Sequence, residues 1–299
     1  MQISLTKRTK LLFTGDERND MADVVKVSVH GGHSGQFCCH AEDLLEEIVE
    51  EYIRQGFSWI GITEHAPAIN DQWLYPDQKA AALTADILLK QFEAYMQECR
   101  RLQKKYAALI TISPAIEIET YSGYESFVGY LINRYAPSYL VGSVHFVNDI
   151  GFDYSEEYYE DAVRVAGGMD VLYENYFDLQ YDMINKLRPA VIGHFDLIRL
   201  YDPDYHARLK KPAIAAKVTR NLELIKKYGL IIDYNLRALH KGASEPYVTS
   251  SILEAARELN IAVVPGDDSH GISGVGNFYE EGVRTLQAHG CSTEWQLPA

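Results

Sequence analysis

Seven short runs rich in Val and Ile recur along the chain, and almost every one ends on a histidine or a carboxylate. The runs cover 24–30, 58–63, 109–117, 139–146, 190–195, 230–235 and 261–266. Their ends read His30, Thr63-Glu64-His65, Glu117, Ser143-Val144-His145, His194-Phe195-Asp196, Asp233-Tyr234-Asn235 and Asp267-Asp268-Ser269-His270. Between them lie amphipathic segments predicted to be helical over 41–55, 85–106, 169–187, 213–228, 250–259 and 276–289. Gly56, Gly229 and Gly290 stand where a helix would stop. Short apolar strands alternating with helices make βα units around a parallel sheet. Closed into a barrel, such a sheet gathers its strand ends on one face, where active sites are built.

The placement of histidine sharpens this. Of ten histidines, seven (30, 33, 40, 65, 145, 194 and 270) fall at or just after these strand ends. One could be an ordinary core histidine. Seven converging on one rim would repel one another if charged, and metal ions resolve the conflict by binding them neutral. Together with Glu117 and Asp268 they make nine donors, more than one ion needs, so two or three ions are expected, with a carboxylate such as Glu117 shared. Imidazole and carboxylate without a four-cysteine pattern suits zinc, manganese or iron in an open catalytic site, and closely spaced ions suit hydrolysis.

Composition removes other classes. A net charge of −14 leaves no basic stripe for a nucleic-acid backbone as main partner, yet permits a small phosphorylated substrate where bound cations outweigh local carboxylates. No apolar run is long enough to span a bilayer. Of four cysteines, Cys38 and Cys39 are adjacent and Cys99 and Cys291 isolated, which suits reduced thiols in a cytoplasm. Residues 1–23 show no sustained periodicity and read as a tail, with Met21 as an alternative start. Residues 24–299 read as one barrel domain, and oligomeric state is not legible.

These residues resemble the polymerase and histidinol phosphatase (PHP) superfamily, in particular its monofunctional histidinol-phosphate phosphatases. The likeness runs from about Val24 to the last helix. It rests on His30, His33, Phe37-Cys38-Cys39-His40, Thr63-Glu64-His65, Ala115-Ile116-Glu117, Ser143-Val144-His145, Gly193-His194-Phe195-Asp196 and Asp268-Ser269-His270. The resemblance implies a distorted (β/α)7 barrel with three metals at the C-terminal ends of the strands. One metal would take His30, His33, Glu117 and Asp268. A second would take His40, His65 and His270, and a third Glu117, His145 and His194. Glu117, Asp268 and His270 would stand at the reaction centre, and Asp267 would hold a metal-bound histidine from behind. Glu119 is the other candidate on the strand face of Glu117, and the family pattern favours Glu117.

Two departures stand out. The first pair is spaced His-x-x-His rather than His-x-His, which implies either an inserted residue in the turn or a substitute for His30. After the sixth strand the family carries Gly-Leu-Arg-Lys, whereas this chain reads Ala238-Leu239-His240-Lys241. Arg237, His240 and Lys241 are therefore expected at the substrate, with Arg199 at a second phosphate-facing position and Glu64 attracting the substrate's ammonium. The implied activity is hydrolysis of L-histidinol phosphate through a metal-bridging hydroxide. The alternatives are a PHP-type phosphoesterase for another small phosphate ester or a nucleotide, an amidohydrolase, and a non-catalytic metal-binding protein of the same fold. An amidohydrolase would need a bridging lysine that is not beside His145 or His194.

Overall fold

The computed structural model describes residues 24–298; the segment 1–23, read above as a tail, lies outside the described residues. Nine strands occur in order among the described residues, β1 Lys26–Gly32, β2 Phe57–His65, β3 Thr111–Ile118, β4 Leu140–Gly142, β5 Phe146–Val147, β6 Ile150–Gly151, β7 Val191–Ile192, β8 Ile231–Asn235 and β9 Ala262–Gly266. Seven of them form one parallel sheet, β1-β2-β3-β4-β7-β8-β9. The sheet comes round nearly to a barrel. Its seam is closed by the residues following β9: Asp268 and Ser269 donate their N–H groups to the His30 and Gly31 carbonyls at 2.8 and 2.7 Å, and His33 N–H reaches Ser269 O at 2.8 Å.

All seven sequence runs supply sheet strands, two of them shorter than read. The run 139–146 leaves the sheet after Gly142, and its end starts the β5–β6 hairpin, turned by Asn148 and Asp149 at φ 52° and 64°. The run 190–195 stops at Ile192, because His194 takes φ 20°, which no ladder accommodates.

Helices cover the outside. They are α1 Leu45–Arg54, α2 Pro76–Ala80, α3 Ala85–Lys105, α4 Tyr124–Tyr135, α5 Glu156–Ala166, α6 Met169–Leu187, α7 Tyr205–Leu209, α8 Pro212–Tyr228, α9 Arg237–His240, α10 Ser250–Glu258 and α11 Tyr279–Ala288. The six amphipathic segments became α1, α3, α6, α8, α10 and α11. Gly56 and Gly229, at φ 79° and 66°, end α1 and α8. Unforeseen were α4, α5 and the short α2, α7 and α9, although Ser155 before Glu156-Glu157 is an N-cap of α5 with acids in the first turn, and its hydroxyl accepts from Tyr158 N–H. No described helix is long and apolar enough to cross a membrane.

The alternation of the strands sorts side chains into two cores. One face, with Ile60, Ile62, Ile112, Ile116, Ile118, Ile192 and Ile232, packs against the helices. The other points inward, where Val27, Val29, Trp59, Ala115, Tyr139, Val141, Val191, Ile231 and Val264 fill the lower barrel. One or two residues further along the same strands, the inward positions turn polar.

Candidate metal centre

His30 and His33 cannot both face inward from a regular strand, since side chains alternate. The pairing of β1 with β2 shows how they do: Ser28 lies beside Ile60 and Gly32 beside Ile62, so four steps on β1 run against two on β2. Both glycines are needed for this bulge. A Cβ on Gly31 would stand 2.2 Å from the Gly61 carbonyl oxygen, and one on Gly32 would stand 2.5 Å from Ser269 Oγ. The His-x-x-His spacing is thus absorbed in the strand, and His30 keeps its inward place. His30 Nδ1 is 2.9 Å from Asp233 Oδ2 and its Nε2 3.2 Å from Glu117 Oε2. His33 Nδ1 is 3.3 Å from Glu64 Oε1, and its Nε2 lies 3.2 Å from Asp268 Oδ1.

Glu117 is the hub. Its Oε1 accepts from Ser143 Oγ at 2.6 Å and lies 2.9 Å from His194 Nε2 and 3.3 Å from His145 Nε2. The two imidazole Nε2 atoms of His145 and His194 face each other at 3.2 Å. Glu119, two residues on and on the same inward face, also enters the cluster: its oxygens lie 2.8 Å from His145 Nδ1 and 3.0 Å from His65 Nδ1. Donor atoms of His30, His33 and Asp268, of His30, Glu117 and His194, and of His65, Glu119 and His145 each converge within 4.8 Å. His40, His65 and His270 form a looser trio, with the His40 ring 5.2 Å from His65 and 5.0 Å from His270. Cys38 Sγ sits 3.2 Å from His40 Nε2.

The chemistry of these donors fits divalent cations. His194 Nδ1 is buried without a hydrogen-bond partner, and His30 Nε2, His65 Nδ1 and Glu119 Oε1 stand close to neighbouring polar atoms without hydrogen-bond alignment, a costly arrangement unless a cation comes between them. Burial disfavours charge on Glu117, yet His30, His65 and His145 outweigh it and hold its carboxyl well below the usual range. Burial likewise opposes charge on Asp268, and His30, His270 and His33 overcome it. Burial also opposes protonation of His33, but Asp268 and Glu64 lift it to about 9. His270 goes the other way: burial drives it well below the ordinary imidazole range despite Asp268, with the charge of Arg237 adding to the effect. The cluster is a nest of buried anions that demands positive charge at its centre.

The donors open into a cavity of ≈ 280 Å³ lined on its polar side by His33, His40, His65, Glu117, His145, His194, Asp268 and His270, with Arg237 and Lys241 among its walls. Four sequence expectations meet a different geometry. Arg199 is buried with its guanidinium donating to the Glu245 and Pro246 carbonyls at 2.9 and 2.7 Å and lying over the Tyr205 and Tyr247 rings, so it braces the loop after α9 instead of facing the cavity. His240 is exposed at the end of α9, with its Nδ1 3.1 Å from Asn277 Nδ2, and does not line the cavity. Glu64 is held by His33 and lines a smaller neighbouring pocket. Asp267 accepts from Ser28 Oγ, Tyr52 Oη and Gly276 N–H, each at 2.7 Å, and braces backbone rather than a histidine.

The residues that orient donors are Asp233, which accepts from Asn235 and lies against His30, Glu119 against His145, and Glu64 against His33. Asp233 was visible at the end of the sixth run, but nothing local says which histidine it meets, 203 residues away. Tyr75, Asp153 and Tyr247, also in the cavity wall, left no motif in the sequence, whereas Tyr154 belongs to the tyrosine-rich stretch 154–182, a candidate pocket lining by sequence.

Residues 31–237 match the family model described as the PHP domain. A Schizosaccharomyces pombe protein named "probable histidinol-phosphatase" is 38% identical over 258 residues, 85% of this chain and 83% of that protein. The histidinol-phosphatase of Saccharomyces cerevisiae is 26% identical over 286 residues, 84% of this chain and 85% of its own length. Among solved structures, a Listeria monocytogenes protein assigned as a histidinol phosphatase superposes with a TM-score of 0.76 at 26% identity, over 86% of this chain and 99% of that one. A Lactococcus lactis histidinol phosphate phosphatase, solved with zinc, L-histidinol and phosphate, shares the fold with a TM-score of 0.68 at 20% identity, over 89% of this chain and 94% of that one.

Proposed function

The chain belongs to the PHP domain family, and on that premise we propose that it is a divalent-metal-dependent phosphomonoesterase hydrolysing L-histidinol phosphate to L-histidinol and inorganic phosphate. The observation that carries this reading is the buried donor cluster around Glu117, opening into a cavity that also holds Arg237 and Lys241. Proteins named for this activity resemble the chain over more than four fifths of its length. Up to three ions of zinc, manganese or iron would be held, by His30, His33 and Asp268, by His40, His65 and His270, and by His145 and His194, with Glu117 shared and Glu119 beside them. Such ions lower the pKa of water and offset charge on a phosphoryl group.

The chain's own residues do the rest. Asp233, Glu64 and Glu119 fix the rings of His30, His33 and His145, so that each remaining nitrogen points to the centre. Arg237, whose Nε is buried without a partner, is a donor left for a phosphoryl oxygen, and Lys241 adds a second positive charge at the wall. Phosphoryl transfer needs positioning and charge stabilisation more than covalent help, and this wall supplies both. All four thiols are free, which suits a reducing cytoplasm.

The test is phosphate release from L-histidinol phosphate beside a nucleoside monophosphate and an aryl phosphate, in metal-loaded protein with chelator controls. The expected result is chelator-sensitive turnover with a preference for histidinol phosphate of about 100-fold or more in kcat/KM. Equal or faster turnover of the other esters would assign a broader phosphoesterase, and no turnover despite bound metal would assign a non-catalytic protein.

A further inference from the structure

Three carboxylates line the catalytic cavity, Glu117, Asp153 and Asp268. Glu117 and Asp268 are bound up with the histidines. Asp153 makes no hydrogen bond or ion pair among the described residues, and its Oδ1 is buried without a partner. Leaving a carboxylate oxygen dry and unpaired costs free energy unless something arrives to meet it.

The position is rigid. On one side Phe152 is fully buried and donates its N–H to the His145 carbonyl at 3.0 Å; on the other, Ser155 caps α5. Asp153 lines the same cavity as His145, Arg237 and Lys241. The cavity therefore offers an anion at one place and cations at another. Next to Asp153, the rings of Tyr75 and Tyr154 lie 6.4 Å apart and 25° from parallel in the same wall, flat faces suited to an aromatic substituent.

We propose that Asp153 is the specificity-determining residue of this site, pairing with the ammonium group of the substrate while the phosphoryl end meets the metal donors and Arg237. It takes the part that the sequence suggested for Glu64. This rests on the phosphomonoesterase reading above, and adds to it the residue that reads the substrate's ammonium group. An ester lacking the ammonium leaves the buried Oδ1 of Asp153 without a partner, which is how a site rejects an analogue it could otherwise hold.

The experiment is Asp153→Asn, nearly isosteric, assayed with L-histidinol phosphate, with its deaminated analogue and with an aryl phosphate. Tm and bound metal are measured alongside to establish that the fold and metal cluster are intact. The expected result is a loss of about 10- to 100-fold in kcat/KM for the aminated ester, mostly in KM, as for a lost charged hydrogen bond. Turnover of the two other esters stays within about threefold. Equal losses on all three esters would reduce Asp153 to a support for His145, and no loss on any would remove it from recognition. Should the wild type ignore histidinol phosphate, the substrate reading fails, and O-phosphoethanolamine against ethyl phosphate decides the matter for Asp153. A preference for the aminated ester that the variant erases sustains the proposal, and its absence overturns it.

Discussion

The lower and upper halves of the barrel interior are built from the same strands and the same inward faces, yet one is oil and the other is charge. On β3 the change takes two residues, from Ala115 to Glu117; on β8 it runs from Ile231 to Asp233, and past β4 from Val141 to Ser143 and His145. The lower layer gains free energy by removing apolar surface from water. The upper layer desolvates carboxylates and imidazoles, which is costly without a cation. One half holds the fold and the other is held by it.

The sharpest way to break this division is at the hub. Glu117→Gln should lower kcat/KM by at least about 10³-fold, some 4 kcal/mol of transition-state stabilisation, with an unchanged far-UV circular dichroism spectrum. The wild type should gain Tm when metal is added, and the variant should gain less, because binding to the native state alone stabilises it by mass action. A variant that keeps both activity and the metal-induced shift would remove Glu117 from the centre.

In the lower layer the effects should be reversed. Trp59, stacked on Tyr139 with centroids 6.0 Å apart, fills the barrel floor. Trp59→Ala should cost about 3–4 kcal/mol of stability in denaturant titration while kcat of the folded fraction changes by less than about threefold. A large loss of kcat at full folding would show that floor and rim are not separable. Smaller again is Arg237→Gln, expected to raise KM by about 10- to 50-fold, as for one hydrogen bond to a charged group, with little change in Tm. Arg199→Gln serves as its contrast, since that side chain braces backbone and should disturb Tm more than KM.

The smallest effect belongs outside both layers. Glu46 is held down to about 2 by Lys105 first and by Arg101, a surface cluster on α1 and α3. With its folded pKa depressed, whatever it contributes is present above the ordinary carboxylate range and lost as pH falls towards 2. Solvent screens it, so Glu46→Gln should leave Tm at neutral pH within the scatter of replicate measurements. A clear drop would show that this outer surface matters to the barrel.

Much of this was legible without coordinates because periodicity and position are local. Apolar runs place strands, amphipathic stretches place α1, α3, α6, α8, α10 and α11, and parallel strands put their C-terminal ends on one face. Four expectations around the site, three at the substrate and one behind a histidine, meet a different geometry for one shared reason. Arg199, His240, Glu64 and Asp267 all lie near strand ends, and nearness in sequence does not say which way a side chain turns or which group reaches it first. Arg199 meets backbone carbonyls and two tyrosines; Glu64 meets His33.

What the amino-acid sequence determined by itself is therefore the alternation of elements, a set of candidate donors and the end of the barrel they occupy, each a matter of neighbouring residues and their period. Tertiary structure alone decided the rest. The β1 bulge that turns both His30 and His33 inward depends on Gly61 and Ser269 standing against Gly31 and Gly32. The choice of Asp233 as partner of His30, and the unpaired state of Asp153 in the cavity wall, depend on which segments close the ring. These are contacts between residues far apart in the chain, and only the closed sheet brings them within reach.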